Sequence, residues 1–265
     1  MGDRILVFIP CYNCSAQIGR VLGQFTSGEM APYFAEILVL DNGSKDDTVE
    51  QAVRAASEVR GITVTIARNR SNYNLGGSHK AAFSYALANS FTHVAVLHGD
   101  DQGCIWDLID VLKSGDHRVY DACLGARFMK GSSLVGYSSF RIFGNHVFNT
   151  LFTIGTRWPV KDLGSGLNIF GRRVFEHEGV TRYADDLRFN IYLLLGMVRR
   201  QLKVRYFPIS WREDDQVSNV KMTSQALKTL ELLLQSVFKP SYFWGADHRS
   251  QKHAEYAFDP VFSSR

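Results

Sequence analysis

No stretch of the 265 residues approaches the roughly 20 consecutive apolar residues that a membrane-spanning helix needs. The opening MGDRILVFIPCYN has no basic segment followed by a long apolar core, so no secretory leader is expected and the chain reads as cytosolic. Cysteine is scarce, and four in a chain of this length exclude a disulfide scaffold. Cys11 and Cys14 do form C-x-x-C, but Cys104 and Cys123 are not spaced to complete a zinc site. A thioredoxin-like role belongs to shorter domains, which leaves two small residues filling a tight strand-to-loop corner. The G-K-[ST] ending of a P-loop is missing, no G-x-G-x-x-G stands in the right place, and neither repeats nor low-complexity linkers occur. No nucleic-acid partner is expected.

What the sequence does contain is alternation. RILVFIP, AEILVLD, ITVTIAR, HVAVLH and YDACLGARF read as strands, and DDTVEQAVRAASEV and GGSHKAAFSYALANS read as helices between them. Near-continuous apolar strands separated by helices predict an α/β fold, a mostly parallel Rossmann-like sheet covered on both faces. Ligands of such sheets bind at the carboxyl ends of the strands, where the short polar tails PCYN, DNGSKDDT, RNRSNYN and HGDDQ lie. A single domain is predicted over residues 1–239, with a helical elaboration from about residue 131. Residues 240–265, polar, aromatic and aperiodic, are predicted as a peripheral tail. Phe140, Phe143, Val147, Leu151 and Ile154 recur at helical spacing and predict a core helix. The net charge of +4 is uneven: residues 121–212 hold 14 Lys or Arg against 6 Asp or Glu, so the remainder sums to −4. An acidic front half suits a metal and a basic back half suits anions.

The tails carry the candidate chemistry. Asp100 and Asp101 are adjacent at the mouth of a buried strand, where they repel each other, so a positive partner is expected beside them. Asp41 ends the second strand, where no helix cap is needed, and its carboxylate suits hydrogen bonds from a base or ribose; Asp46 or Asp47 caps the helix that follows. Gly76 and Gly77 precede a helix and let the backbone approach a phosphate.

IPCYN, LVLDNGSKDDT, NYNLGGSHKAA and VAVLHGDDQ, in that order, resemble the successive motifs of family 2 glycosyltransferases with the GT-A fold, closest to the dolichyl- and polyprenyl-phosphate sugar synthases. The resemblance runs from about Ile5 to Lys221. It implies that Pro10, Tyr12, Asn13 and Asp41 hold the nucleotide base, with Asp100 near the ribose and metal. The family's D-x-D, followed by x-Q, falls on His98, Asp100 and Gln102, with His98 replacing the first aspartate. Asp100 and Gln102 offer oxygen ligands suited to Mg²⁺ or Mn²⁺, and a neutral imidazole shifts preference toward Mn²⁺. The alternative for His98 is a ring hydrogen-bonded to backbone. On this reading the carboxylates await a divalent cation bridging a diphosphate.

GARFMKG, SSFRIFGN, KDLGSGLNIFGRR and PISWREDDQVSN resemble the later family motifs more loosely. They imply Arg127 and Arg141 on an acceptor phosphate and Asp162 near the sugar, an isolated loop aspartate making a turn being its rival reading. Arg212, followed by Ser218 and Asn219, matches a segment that closes over the donor diphosphate. Arginine suits these tasks because its planar fork meets phosphate bidentately; Arg172 and Arg173 read as surface residues. The implied activity is inverting, metal-dependent transfer from a nucleoside-diphosphate sugar to a polyprenyl phosphate, within cell envelope polysaccharide synthesis. Peripheral contact with the cytoplasmic membrane face follows, with the helix from Tyr137 at the bilayer surface and QALKTLELLLQSVF as a second amphipathic candidate. An ionised phosphate acceptor needs no general base. A hydroxyl of a glycan or lipid-linked saccharide does, and Asp185 or Asp186 would supply it, although both read first as N-caps of DDLRFNIYLLLG. A non-catalytic sugar-nucleotide-binding protein is the remaining alternative, prompted by His98.

Overall fold

A computed structural model describes residues 2–213 and 222–264; Ser218 and Asn219 lie outside the described residues. Strands and helices alternate as β1 (Ile5–Cys11), α1 (Ile18–Gly23), β2 (Glu36–Asp41), α2 (Thr48–Ala56), β3 (Thr63–Asn69), α3 (Asn74–Ala88) and β4 (His93–Leu97). Next come α4 (Ile109–Ser114), α5 (Asp116–Val119), β5 (Ala122–Ala126), β6 (Ser133–Val135), α6 (Ser139–Thr156), β7 (Leu167–Gly171) and α7 (Arg172–Phe175). The chain closes with α8 (Phe189–Arg199), β8 (Val204–Pro208), β9 (Ser210–Arg212), α9 (Met222–Phe238), α10 (Pro240–Gly245) and β10 (Phe258–Ser263).

The described residues form an eight-stranded sheet in the order β10-β3-β2-β1-β4-β7-β5-β8, with β6 and β9 paired separately. Successive side chains of a strand point to opposite faces, so β1 feeds two cores: Leu6 and Phe8 face one, Ile5, Val7 and Ile9 the other. Both faces are covered, which is why the strands read as unbroken apolar runs rather than as alternating ones. Each fully buried Phe or Ile contributes about 1.5–3 kcal/mol relative to exposure. Among the described residues no helix is long and apolar enough to cross a membrane.

The architecture departs from the sequence expectation in three places. β7 lies antiparallel between β4 and β5, and β8 runs parallel beside β5, so the chain beyond residue 131 returns to the sheet instead of adding helices alone. The tail is not peripheral. Phe243 of α10 is buried and stacks on Tyr192 at 5.2 Å, and β10 pairs antiparallel with β3, covering that strand's edge. Short aromatic segments interrupted by His and Lys gave no periodicity from which to read either contact. The third concerns α6, whose periodic apolar stripe faces outward. Phe140, Phe143 and Ile154 are 75%, 67% and 70% exposed, while Asn149 and Phe152 face the core. Helical spacing identifies a face; it does not say which side the protein covers.

Phe243→Ala tests the tail's integration. Phe→Ala in a core costs about 3–5 kcal/mol, so the denaturant midpoint should fall sharply; a peripheral residue would move stability by no more than about 0.5 kcal/mol.

Candidate active site

The carboxyl ends of β1 and β4 and the start of α3 surround a cavity of about 400 Å³, lined among others by Pro10, Tyr12, Asn42, His98, Asp100 and Leu187. Tyr12 stands 48% exposed at its mouth. Asn13 adopts a left-handed conformation, φ 52°, which Asn tolerates better than most residues. Its amide donates to Ser44 Oγ at 2.8 Å and its side-chain oxygen accepts from the Lys45 amide at 2.9 Å, tying the loop after β1 to the loop after β2. Asn42, which sequence reasoning missed, is buried: its oxygen accepts from the Asn69 side chain and the Tyr73 amide, and its nitrogen donates to Asn72. The only trace in the sequence was a cluster of amides in successive strand tails.

Two nucleotide-side assignments need revision. Asp41 is fully buried, with its carboxylate accepting from the Gly43 and Ser44 amides and from Arg68 Nε at 3.0 Å. It shapes the turn after β2 and does not line the cavity in this state. Gly76 is required for packing. Its amide donates to the Asp185 carbonyl at 2.6 Å, and a Cβ there would lie 2.6 Å from the Ala184 oxygen, so its N–H is engaged by protein and not offered to a phosphate. Asp46, rather than Asp47, caps α2, accepting from the Thr48 amide and hydroxyl and from the Ser15 amide. Cys11 and Cys14 are buried with no disulfide and pack against Gly99, the corner expected of them.

The tail HGDDQ separates its two carboxylates. Asp101 is buried with φ 61°, paired to Arg20 Nε at 2.6 Å and to the Arg212 guanidinium, whose Nε also donates to the Asp101 carbonyl at 2.8 Å. The positive partner expected beside the acidic pair is therefore two arginines, both paired with Asp101. Asp100 is half-buried against the 400 Å³ cavity, and burial pushes its carboxyl up to about 6. His98 lines the same cavity. Its Nε2 is buried without a hydrogen-bond partner among the described residues, and burial together with Arg127 lowers the ring to about 4, keeping it neutral. Gly166 makes room for that ring, since a Cβ there would come within 2.9 Å of it. Gln102 is turned elsewhere: it lines a neighbouring cavity of about 350 Å³ with Arg20, Asp101 and Arg212. Among the described residues no three His, Cys, Asp or Glu side chains are grouped to hold a metal unaided.

On the acceptor side the structure joins two residues expected to act separately. Arg127 grips Asp162 in a fork, Nε to Oδ2 and Nη2 to Oδ1, both at 2.8 Å, and the Arg127 amide and Gly164 amide complete the carboxylate's shell. Burial works against the Arg127 charge, but Asp162 more than compensates and raises its pKa. The guanidinium also lies over Phe128 and Trp211 at 5.1 and 5.2 Å. Arg141 follows the Ser138 cap of α6, pairs with Glu213 and lies 4.6 Å over Tyr137, whose hydroxyl accepts from the Asn145 amide group. Arg172 and Arg173 are exposed surface partners of Glu176 and Asp121. Asp185 is not an N-cap: it is buried with Lys80 Nζ at 2.7 Å and Tyr256 Oη at 2.7 Å. Burial lowers the Lys80 pKa. Asp186 accepts from the Arg188 amide and Nε, and these bonds outweigh burial to hold it below the usual carboxylate range.

Arg127→Ala would strand the Asp162 charge in the interior. Breaking one side of a buried pair costs about 3–5 kcal/mol. Chemical denaturation should show that loss, whereas an arginine held solely for an acceptor would leave stability unchanged.

The model for glycosyl transferase family 2 matches residues 6–179. The chain is 26% identical over 242 residues to glycosyltransferase AglD of Haloferax volcanii, covering 86% of this chain and 37% of that relative, so it spans little more than a third of that protein's length. It is 24% identical over 232 residues to dolichyl-phosphate beta-glucosyltransferase of Saccharomyces cerevisiae, covering 79% and 67%. Among solved structures, glucosyl-3-phosphoglycerate synthase from Mycobacterium tuberculosis in complex with phosphoglyceric acid superposes with a TM-score of 0.64 at 18% identity, covering 89% of this chain and 81% of that one. The same enzyme with Mn²⁺, uridine diphosphate and glucosyl-3-phosphoglycerate gives 0.62 at 17%, covering 92% and 81%. These similarities share the GT-A-type α/β sheet described above, and with the family model spanning most of the sheet, the chain belongs to glycosyl transferase family 2.

Proposed function

We propose that this glycosyltransferase moves a sugar, with inversion, from a nucleoside-diphosphate sugar to a polyprenyl-phosphate-like acceptor. The observation that carries the acceptor class is the start of α6. There Arg141 stands between Phe140 and Phe143, which are 75% and 67% exposed, so an anion-binding fork adjoins an uncovered apolar stripe. That juxtaposition suits a phosphate on a lipid tail at a membrane face. α9, which touches α6, also exposes Leu227, Leu234 and Phe238. The yeast relative's name, with its dolichyl phosphate, supports the same class.

The 400 Å³ cavity is the donor site in this reading, with Tyr12 and Pro10 along the base and Asp100 and His98 toward the diphosphate. A buried imidazole nitrogen without a partner beside a half-buried carboxylate fits a divalent cation, Mn²⁺ or Mg²⁺, completed by phosphate oxygens and water. Bound there, the ion supplies charge stabilisation to the leaving diphosphate. The solved relatives carry Mn²⁺ and uridine diphosphate in their own sites, which supports this donor class. Arg141 holds the acceptor phosphate for attack on the anomeric carbon, exchanging Glu213 for the ligand. No side chain has to take a proton, because the acceptor oxygen is already ionised. That agrees with the acidic pair. Asp185 is buried against Lys80 and Tyr256, and Asp186, tied to Arg188, is a weakened base, so neither is poised to take a proton from a sugar hydroxyl.

Transfer of labelled sugar from a panel of nucleotide sugars to polyprenyl phosphate, with Mn²⁺, tests the reading. Arg141→Ala should raise the acceptor KM or lower kcat by about tenfold or more, a loss of ~1.4 kcal/mol, while donor hydrolysis without acceptor survives. Phe140→Asp with Phe143→Asp should slow a long-chain acceptor and spare a short, water-soluble one. Transfer only to a glycan hydroxyl, indifferent to Arg141, would overturn the acceptor assignment.

A further inference from the structure

A third cavity, of about 230 Å³, opens between α8, α10 and the turn before residue 183, and no part of the donor or acceptor reading uses it. Its walls are aromatic: Tyr192 and Phe243 stack at 5.2 Å with their planes 5° apart, and Trp244 meets Phe243 edge-on at 4.8 Å. Its lining is cationic, with Arg182, Arg199 and Arg200 all contributing. Gathering three like charges costs energy unless carboxylates offset it; Glu178 lies between the lining residues His177 and Gly179, while four other carboxylates nearby are committed elsewhere. Glu176 pairs with Arg172, Asp121 with Arg173, Asp186 with Arg188 and Asp247 with Arg249. Among the described residues no carboxylate pairs with Arg182, Arg199 or Arg200. Arg199 lies 5.1 Å over Trp244, and Arg200 reaches only the Arg173 carbonyl, at 2.6 Å. The local potential registers on neighbours: burial first, then Arg200, lowers the His177 pKa, and all three arginines oppose the rise that burial causes at Tyr183.

The geometry points to a second ligand site, for a small phosphate-bearing anion, in the cavity walled by Tyr192, Phe243 and Trp244 and ringed by Arg182, Arg199 and Arg200. The volume is several times the ≈30 Å³ share of one liquid water, enough for a diphosphate or a compact phosphate ester. Guanidiniums without a carboxylate partner among the described residues supply bidentate contacts to such an anion, and the buried rings of Tyr192 and Phe243 give it an apolar wall. The site is distinct from the donor cavity. Leu187, just before α8, lines the donor cavity, while Tyr192, Gly196, Arg199 and Arg200 line this one toward the helix's other end, and α8 itself is roughly 15 Å long.

Inorganic pyrophosphate is the probe, titrated calorimetrically into the full chain in EDTA, with Trp244 fluorescence as a second readout. Wild type should bind one equivalent and change its fluorescence. The double variant Arg199→Gln, Arg200→Gln should bind at least tenfold more weakly with an unchanged melting temperature; if it misfolds, Arg182→Gln alone should weaken binding severalfold. Trp244→Phe should keep binding and lose the optical signal. Vesicles of phosphatidic acid distinguish the source of the phosphate: retention of vesicles by wild type and not by the double variant, without pyrophosphate binding, makes the ligand a lipid headgroup. No binding of either probe, or pyrophosphate binding that survives the double variant and disappears in Arg141→Ala with Arg212→Ala, would overturn the site.

Discussion

The clamp on Asp101 is the interaction on which the active-site geometry turns. A non-glycine residue at φ 61° costs of order 1–3 kcal/mol and persists only where its surroundings over-determine it. Arg20 reaches it from α1 and Arg212 from β9, and the carboxylate they share is 4% exposed. The left-handed residue reverses the chain between Asp100 and Gln102. One side of the turn therefore serves the donor cavity and the other the cavity lined by Gln102 and Arg212. Two adjacent carboxylates that would repel each other are separated in space: Asp101 is paired with guanidiniums, and Asp100 lines the 400 Å³ cavity.

The same clamp links the two halves of the sheet. Arg212 belongs to β9, whose partner β6 precedes α6, and Trp211 of β9 underlies both the Arg127 guanidinium and the Gly166 turn. Gly166 in turn abuts the His98 ring. Antiparallel β7 makes this possible, because only a strand entering from the carboxyl edge can deliver the 162–167 loop beside the tail of β4. The buried Arg127–Asp162 fork braces that loop from below. Both residues accordingly brace the loop, while Arg141 adjoins the exposed Phe140 of α6.

The sheet's parallel strands were legible because each is buried on both faces, and that leaves unbroken apolar runs ending in polar tails. Residues from all four tails line the 400 Å³ cavity. What could not be read were long-range pairings. Arg20 and Asp101 are 81 residues apart, and Lys80 and Asp185 are 105 apart, with nothing local in either segment to announce the partner. Asp41, Gly76 and Asp185 were assigned to chemistry or capping from their place in the sequence and the resemblance, yet Asp41 is held by the Gly43 and Ser44 amides and Arg68, the Gly76 amide donates to the Asp185 carbonyl, and Asp185 is engaged by Lys80 and Tyr256. The outward stripe of α6 shows the other limit. Periodicity is identical whether a helix faces a core or a surface awaiting a partner.

In the proposed reaction Asp100 serves the donor's cation and diphosphate, while Asp101 serves the turn. Calorimetric binding of nucleoside diphosphates in Mn²⁺, set beside melting curves for Asp100→Asn and Asp101→Asn, measures it directly. The account predicts that Asp100→Asn loses metal-dependent binding by about tenfold or more at unchanged melting temperature. Asp101→Asn should instead lower the melting temperature by several degrees, as about 1 kcal/mol or more of clamp energy is lost. Undiminished metal-dependent binding in Asp100→Asn, or an Asp101→Asn protein as stable as wild type, would contradict it.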